Sequence, residues 1–384
     1  MTPAARVQAA IEILDEVIAS ARDDGPPADA LVTAYFKARR YAGSKDRRAV
    51  RELVFGAIRH SAERPVSGRA AMLALAPELF DGSPHGPALR REDEQPAQAG
   101  IVPEWLAAEL SPLVAPNEWP ALVERAPLDL RVNIARTSRD EMLSELGGEP
   151  TRLSPWGLRL PFDSRISDHP AYVSGLIEVQ DEGSQLVALV CAVRGGERVV
   201  DLCAGAGGKA LALAAAAPQA EIIACDTNRQ RLSRLQPRAE RAGARIATRL
   251  LDAPREREGL ADIEGSCDLV LVDAPCSGSG TWRRNPEGRW RLTPERLQQL
   301  TALQQRVLDL AVPLVKPGGR LVYAVCSVLA REGAGQADDF LSGHSSFRAE
   351  DTGLAAGRLD GVGRLLTPGQ DGTDGFFIAR FVAG

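Results

Sequence analysis

The stretch Val199–Ala210, VVDLCAGAGGKA, decides the reading of the fold. An apolar pair, Val199 and Val200, leads to Asp201 and then into a turn that carries Gly205, Gly207 and Gly208. Lys209 follows, and the alanine- and leucine-rich run after it reads as a helix. A strand, a glycine turn and a helix in that order form a unit whose turn approaches a ligand closely, because glycine carries no Cβ. About twenty residues on, a second apolar run, Ile222–Cys225, ends in Asp226, which is placed to accept hydrogen bonds from ribose hydroxyls. Gly205, Gly207 and Ala210 satisfy the loose dinucleotide pattern G-x-G-x-x-A. The P-loop pattern fails, since Cys203 and Ala210 stand where glycine and Ser/Thr are needed. The expected element is a Rossmann-like site for a nucleoside cofactor.

Outward from this unit, the 384 residues leave room for two or three domains and a substantial core. A hydrophobic fraction of 44% and a charged fraction of 25% are those of a globular protein, not a disordered or fibrous one. The first apolar segment carries Glu12, Asp15 and Glu16, unlike a signal peptide, and no run has the length of a membrane span. Six cysteines, at 191, 203, 225, 267, 276 and 326, include no C-x-x-C pair. That argues against structural zinc and a disulfide framework, and fits a reducing cytoplasm with no metal site. The net charge of −5 supplies no global field for nucleic acid, yet arginines cluster at 229–249 and 283–296. The first cluster reads equally as a solvated helix face. The second follows a candidate catalytic loop and is the more suggestive of phosphate contacts.

Residues 1–80 read as a helical module: Val7, Ile11, Leu14, Val17 and Ile18, then Val50, Leu53, Val54 and Ile58, recur at helix spacing. The Gly-, Pro- and charge-rich 81–100 reads as a linker. Within 101–170, the alternating Leu128–Ile134, the serine-capped Ser138–Glu141 and Trp156–Leu160 suggest a small α+β domain. From 171 to 384, strands alternate with helices, which implies a mostly parallel sheet. The predicted strands are 197–202, 221–225, 246–250, 268–272 and 320–325, with a last one near Phe376–Phe381. Cys203, Asp226, Asp252, Asp273 and Cys326 all fall at strand ends, where such sheets bind ligands.

Two further motifs carry chemistry. Asp268–Gly280, DLVLVDAPCSGSG, ends a strand in Asp273 and turns Cys276 into a Gly/Ser loop; Leu321–Ser327, LVYAVCS, ends a strand in Cys326. A lone cysteine is usually a small buried hydrophobe. Two at the mouth of one cofactor site, one beside an acid, fit nucleophilic catalysis on a pyrimidine: a thiolate that adds to C6 makes C5 nucleophilic toward an electrophilic methyl group. Asp273 is suited to a hydrogen bond or proton at N3. The methyl donor implied is S-adenosylmethionine. Spacing alone leaves open which cysteine attacks.

DLCAGAGGK, the acid at Asp226, LVDAPCSGSG and YAVCS, in this order, resemble the RsmB/Sun (Fmu) family of RNA cytosine-5 methyltransferases. VQDEGSQL at 179–186, VKPGGRLVYAVCS at 315–327, TDGFFIARF at 373–381 and PLDLRVN at 127–133 are similar as well. KDRRAVRELVFGAIR at 45–59 resembles the NusB-like domain of bacterial members. The resemblance implies a Rossmann-like methyltransferase domain behind a small RNA-binding domain and NusB-like helices. It also implies a role for each matching residue. Cys326 corresponds to the nucleophile, Cys276 to the cysteine that assists release of the methylated RNA, and Asp273 to the acid that contacts the base near the cofactor. Cys203, Ala204, Gly205, Ala206, Gly207, Gly208 and Lys209 match the cofactor loop, Asp226 the ribose contact and Asp252 the residue near the adenine. Arg231, close behind Asp226 in the chain, joins the candidate cofactor residues, and the charge of Lys209 favours a nearby thiolate. The family loop usually has proline where this chain has Ala206.

The expected function is methylation of C5 of a cytosine in RNA, 16S ribosomal RNA first, by a cytoplasmic monomer with no membrane partner. The alternatives are a tRNA cytosine-5 methyltransferase and a non-catalytic RNA-binding assembly factor. A DNA methylase leaves Cys326 without a role, and a nicotinamide dehydrogenase leaves DAPCS and Lys209 idle.

Overall fold

The computed structural model describes residues 1–384, which divide into two compact units. The first comprises Met1–Leu110, Ala115–Glu124 and Thr281–Pro294. Its helices are α1 (Pro3–Arg22), α2 (Ala28–Ala38), α3 (Ser44–His60) and α4 (Gly68–Leu75). The Thr2 hydroxyl accepts the Ala5 N–H at 3.2 Å and Pro3 takes the first helical position, so α1 starts with both of its usual signals. The apolar spacing read from the sequence is the buried stripe: Val7, Leu14 and Val17 of α1 meet Val50, Val54 and Ile58 of α3 in one core.

Residues 81–100 contain no helix or strand, but they are tied down along this unit and do not form a free spacer. Arg69 pairs with Glu94 at 2.6 Å, and the N–H groups of Ala97 and Gly100 donate to Ala70 and His60 carbonyls at 2.9 Å. The segment 281–294 completes the core. Trp290 is buried in it and its indole N–H donates to the Ser61 carbonyl at 2.9 Å. Arg289, 1% exposed, donates to the carbonyls of Ile58, Arg59 and Ile101. Arg291 donates to the carbonyls of Gly25 and Pro26 at 2.9 Å each. The phosphate contacts suggested for this arginine cluster are therefore replaced, at Arg289 and Arg291, by backbone carbonyls at helix ends and loops, which need donors as much as phosphate does.

The second unit comprises Ser111–Val114, Arg125–Gly280 and Glu295–Gly384 and contains two sheets. The smaller is four-stranded and antiparallel: β1 (Leu128–Val132), β2 (Glu149–Pro150), β3 (Gly157–Leu160) and β4 (Ile177–Val179), in the order β2-β3-β1-β4. Its fourth strand lies beyond residue 170, where the sequence suggested a boundary, and 101–110 group with the helical unit. The helix Arg139–Leu146 begins with a complete capping box between Ser138 and Glu141.

The larger sheet holds β5 (Arg198–Asp201), β6 (Glu221–Asp226), β7 (Ile246–Leu250), β8 (Cys267–Asp273), β9 (Val315–Val325), β10 (Phe347–Glu350), β11 (Arg358–Asp360), β12 (Gly363–Leu366) and β13 (Phe376–Ala383). Strands β5 to β9 are parallel in the order β9-β8-β5-β6-β7, and β13 returns antiparallel beside β9. The strand order reverses between β5 and β8, so a crevice opens at their carboxyl ends. Val199, Leu269, Leu271, Val322 and Ala324 bury the sheet against the helices Glu182–Val190 and Gly208–Ala216. No helix is long and apolar enough to cross a membrane.

Candidate active site

The carboxyl ends of β5, β6, β8 and β9 carry Asp201, Asp226, Asp273 and, one residue past its strand, Cys326. Between β5 and the helix Gly208–Ala216 the chain turns through Gly205 at φ +54° and Gly207 at φ +82°. A Cβ on Gly205 would lie 2.4 Å from Arg231 Nη2, and one on Gly207 2.4 Å from Leu235 Cγ; the positive φ favours glycine at both, and the packed Leu235 leaves Gly207 little room. The N-cap residue of the helix that follows is Gly207, which has no side chain to cap it. Asp226 fixes the loop from the next strand: one oxygen accepts the Gly205 N–H and the other the Asn228 N–H, each at 2.7 Å. Arg238 donates to the Ala206 carbonyl, and the Ala204 N–H donates to the Cys225 carbonyl at 2.8 Å.

A cavity of about 550 Å³ opens in front of this loop, the size of a small-ligand site. Cys203, Asp226, Asn228 and Arg231 form one wall; Asp273, Pro275, Cys276 and Cys326 form another. Leu300, Leu303, Val307 and Leu310, one face of the helix Pro294–Ala311, close it with apolar surface. Asp252 does not line this cavity. Its neighbours Leu251 and Ala253 do, while Asp252 is 65% exposed and pairs with Arg255.

The sequence placed two cysteines at this site, and the structure brings them into contact: Cys276 Sγ and Cys326 Sγ lie 3.4 Å apart. The contact with Cys326, then burial, push the Cys276 thiol well above its ordinary range, so Cys276 keeps its proton. Lys209, from the first turn after the glycine loop, reaches across to Asp273 at 2.7 Å. Burial opposes its charge, but the Asp273 carboxylate prevails and raises Lys209 above the usual lysine value. The Lys209 ammonium also lies 5.2 Å from the centre of the Phe376 ring. Cys203 is held well above the ordinary thiol range by burial and by the Asp201, Asp273 and Asp226 carboxylates.

Sequence reasoning passed over two residues. Asp201 is 1% exposed; burial and Asp273 push it up to about 7 against the pull of Lys209 and of the Ala210 N–H at the start of the next helix. Its position at the end of β5 was the available signal. Glu332 is fully buried and accepts hydrogen bonds from Ser277, Ser327 and Gln304. In the sequence it lies in AREGAGQADD, outside every motif singled out above.

The family model described as 16S rRNA methyltransferase RsmB/F matches residues 188–382. The ribosomal RNA small subunit methyltransferase B of Erwinia tasmaniensis is 35% identical over 294 residues, which are 74% of this chain and 67% of that protein. Among solved structures, the crystal structure of PH0851 superposes with a TM-score of 0.75 at 23% identity, over 98% of both chains. A methyltransferase homolog protein from Pyrococcus horikoshii gives 0.62 at 26% identity, over 72% of this chain and 92% of that one.

Proposed function

The chain belongs to the 16S rRNA methyltransferase RsmB/F family, and we propose that it methylates C5 of a cytosine in 16S rRNA through a covalent adduct on Cys326. The observation that carries the proposal is the pair of thiols in contact at 3.4 Å beside the Lys209–Asp273 pair, on the wall of the cavity. When bound, S-adenosylmethionine supplies the electrophilic methyl group. The site suits it: the glycine loop brings backbone without Cβ atoms to the cavity, and Asp226 on the cavity wall offers a carboxylate for ribose hydroxyls. Gly205, Gly207, Arg231 and Asp226 are assigned to hold it, with Cys203, Ala204, Ala206 and Gly208 shaping the loop. Asp252, turned outward, is given no part.

Cys326, as a thiolate, adds to C6 of the cytosine, and the electron pair of the C5–C6 double bond becomes available at C5. Asp273 holds N3 of the base by a hydrogen bond, and Lys209 fixes Asp273 while its positive charge offsets that of the thiolate. After methylation the C5 proton leaves, the C5–C6 double bond re-forms and Cys326 Sγ is expelled. Cys276, which keeps its proton and touches the departing sulfur, hands that proton over and is itself reprotonated by the one from C5.

Bisulfite sequencing of total RNA from cells with and without the gene tests the proposal. One cytosine in 16S rRNA is expected to lose protection in the deletion, and Cys326→Ala is expected not to restore it. Loss confined to tRNA would redirect the substrate, and restoration by Cys326→Ala would refute the assigned nucleophile. Cys276→Ala is expected to accumulate a covalent RNA–protein band on a denaturing gel.

A further inference from the structure

We propose that Glu332 is a positioning residue, a buried carboxylate clamp that joins the two cysteine loops and holds Cys276 against Cys326. The inference rests on the roles proposed above for the two thiols. Ser277 and Ser327 each follow one of the cysteines, and both hydroxyls donate to Glu332 Oε2, from Ser327 at 2.6 Å. The Ser277 N–H and the Gln304 side chain donate to Oε1 at 2.8 and 2.9 Å. Four donors from three elements thus converge on one acceptor-only group.

The surroundings reinforce the clamp. Gln304 also donates to the Pro275 carbonyl at 2.9 Å, so the same amide braces the residue before Cys276. Ser279 Oγ lies 2.9 Å from Ser327 Oγ and accepts the Val328 N–H at 3.0 Å, a second stitch between the loops. The Glu332 carbonyl accepts the buried Tyr323 hydroxyl at 2.6 Å, which anchors the clamp to β9. A fully buried carboxylate is costly to keep in a fold, and an apolar residue would pack as well. What an apolar residue cannot do is bind both serines. The negative charge of Glu332 also adds to the forces that keep Cys276 protonated, behind its contact with Cys326 and burial.

Glu332→Gln tests the clamp with little change in shape, because it sets an amide N–H₂ against a ring of donors. The expected result is a fall in kcat of about 100-fold with the KM for S-adenosylmethionine within about twofold of wild type. The covalent RNA band is expected to persist, as expected for Cys276→Ala. A second readout needs no reaction: phenylarsine oxide bridges two thiols in contact, and intact mass under competition by a monothiol reports how firmly it is held. Glu332→Gln is expected to lose the arsenical as readily as Cys276→Ser does. Unchanged kcat and arsenical retention would overturn the proposal, as would kcat and cofactor affinity falling together with the melting temperature. If Glu332→Gln does not fold, Ser327→Ala must show the same pattern in weaker form, and its absence overturns the proposal. Failure of wild type to make 5-methylcytosine would sink the functional reading, whereas the arsenical measurement still decides the clamp.

Discussion

Asp201 stands at the carboxyl end of β5 with its carboxylate buried. Folding moves it from an ordinary 3.8 to about 7, so the folded state binds its proton more tightly than the unfolded chain. The contribution of Asp201 to stability is therefore fully present below about pH 4 and lost as the pH climbs through about 7. Asp201→Asn, with no cofactor added, is expected to melt higher than wild type at pH 8 and to lose that advantage at pH 4. Equal melting shifts at the two pH values would refute the assignment. Gly205→Ala is expected to weaken S-adenosylmethionine binding about tenfold, or 1.4 kcal/mol, by calorimetry, because its Cβ meets the Arg231 guanidinium that lines the cavity. At this scale the strand ends and the loops after them were legible in part: Asp226, Asp273, Cys276 and Cys326 meet at one cavity, whereas Asp252 turns outward and Asp201 went unread. Glu332 was not legible, since its four donors come from residues 5 to 55 positions away and no local pattern marks it.

Among the elements, β5, β6, β8 and the second half of β9 were legible as buried apolar runs, and the half-exposed β7 through its place in the alternation of strands and helices. β10, β11 and β12 were not. They are three or four residues long, with Arg, Asp and Glu among their residues; β10 and β12 form against β13, and β11 against β12. β13 is the more informative strand. It pairs with β9 on one side and with β12 and β10 on the other, and its Phe377 and Phe381 are fully buried. Gly363 and Gly333 give the Phe377 ring its space, since a Cβ on either would come within 3.0 Å of it. Phe377→Ala is expected to cost about 4 kcal/mol in a denaturant melt. A loss below about 1 kcal/mol would mean that β13 is not the keystone of this edge.

Across the whole molecule, neither compact unit is one continuous stretch of chain. Residues 281–294, between the two cysteine motifs in sequence, belong to the helical unit, where Trp290 lies in the core and Arg289 satisfies three carbonyls. Arg289→Ala leaves those carbonyls without their donor and is expected to destabilise that unit by about 3 kcal/mol. A truncation that begins at residue 125 is expected to bind a hydrophobic dye strongly through the uncovered Trp290 and its neighbours; dye binding no greater than that of the intact chain would count against this core. Composition and periodicity identified the helices of 1–80 but could not reveal the return of 281–294, because the partners of that segment lie more than 150 residues away. The interleaving also has a consequence in time. During synthesis the first 110 residues leave the ribosome without the side chain that completes their core. At ordinary elongation rates Trp290 follows roughly 10–40 s later, so the N-terminal helices await the middle of the catalytic sequence before they can close.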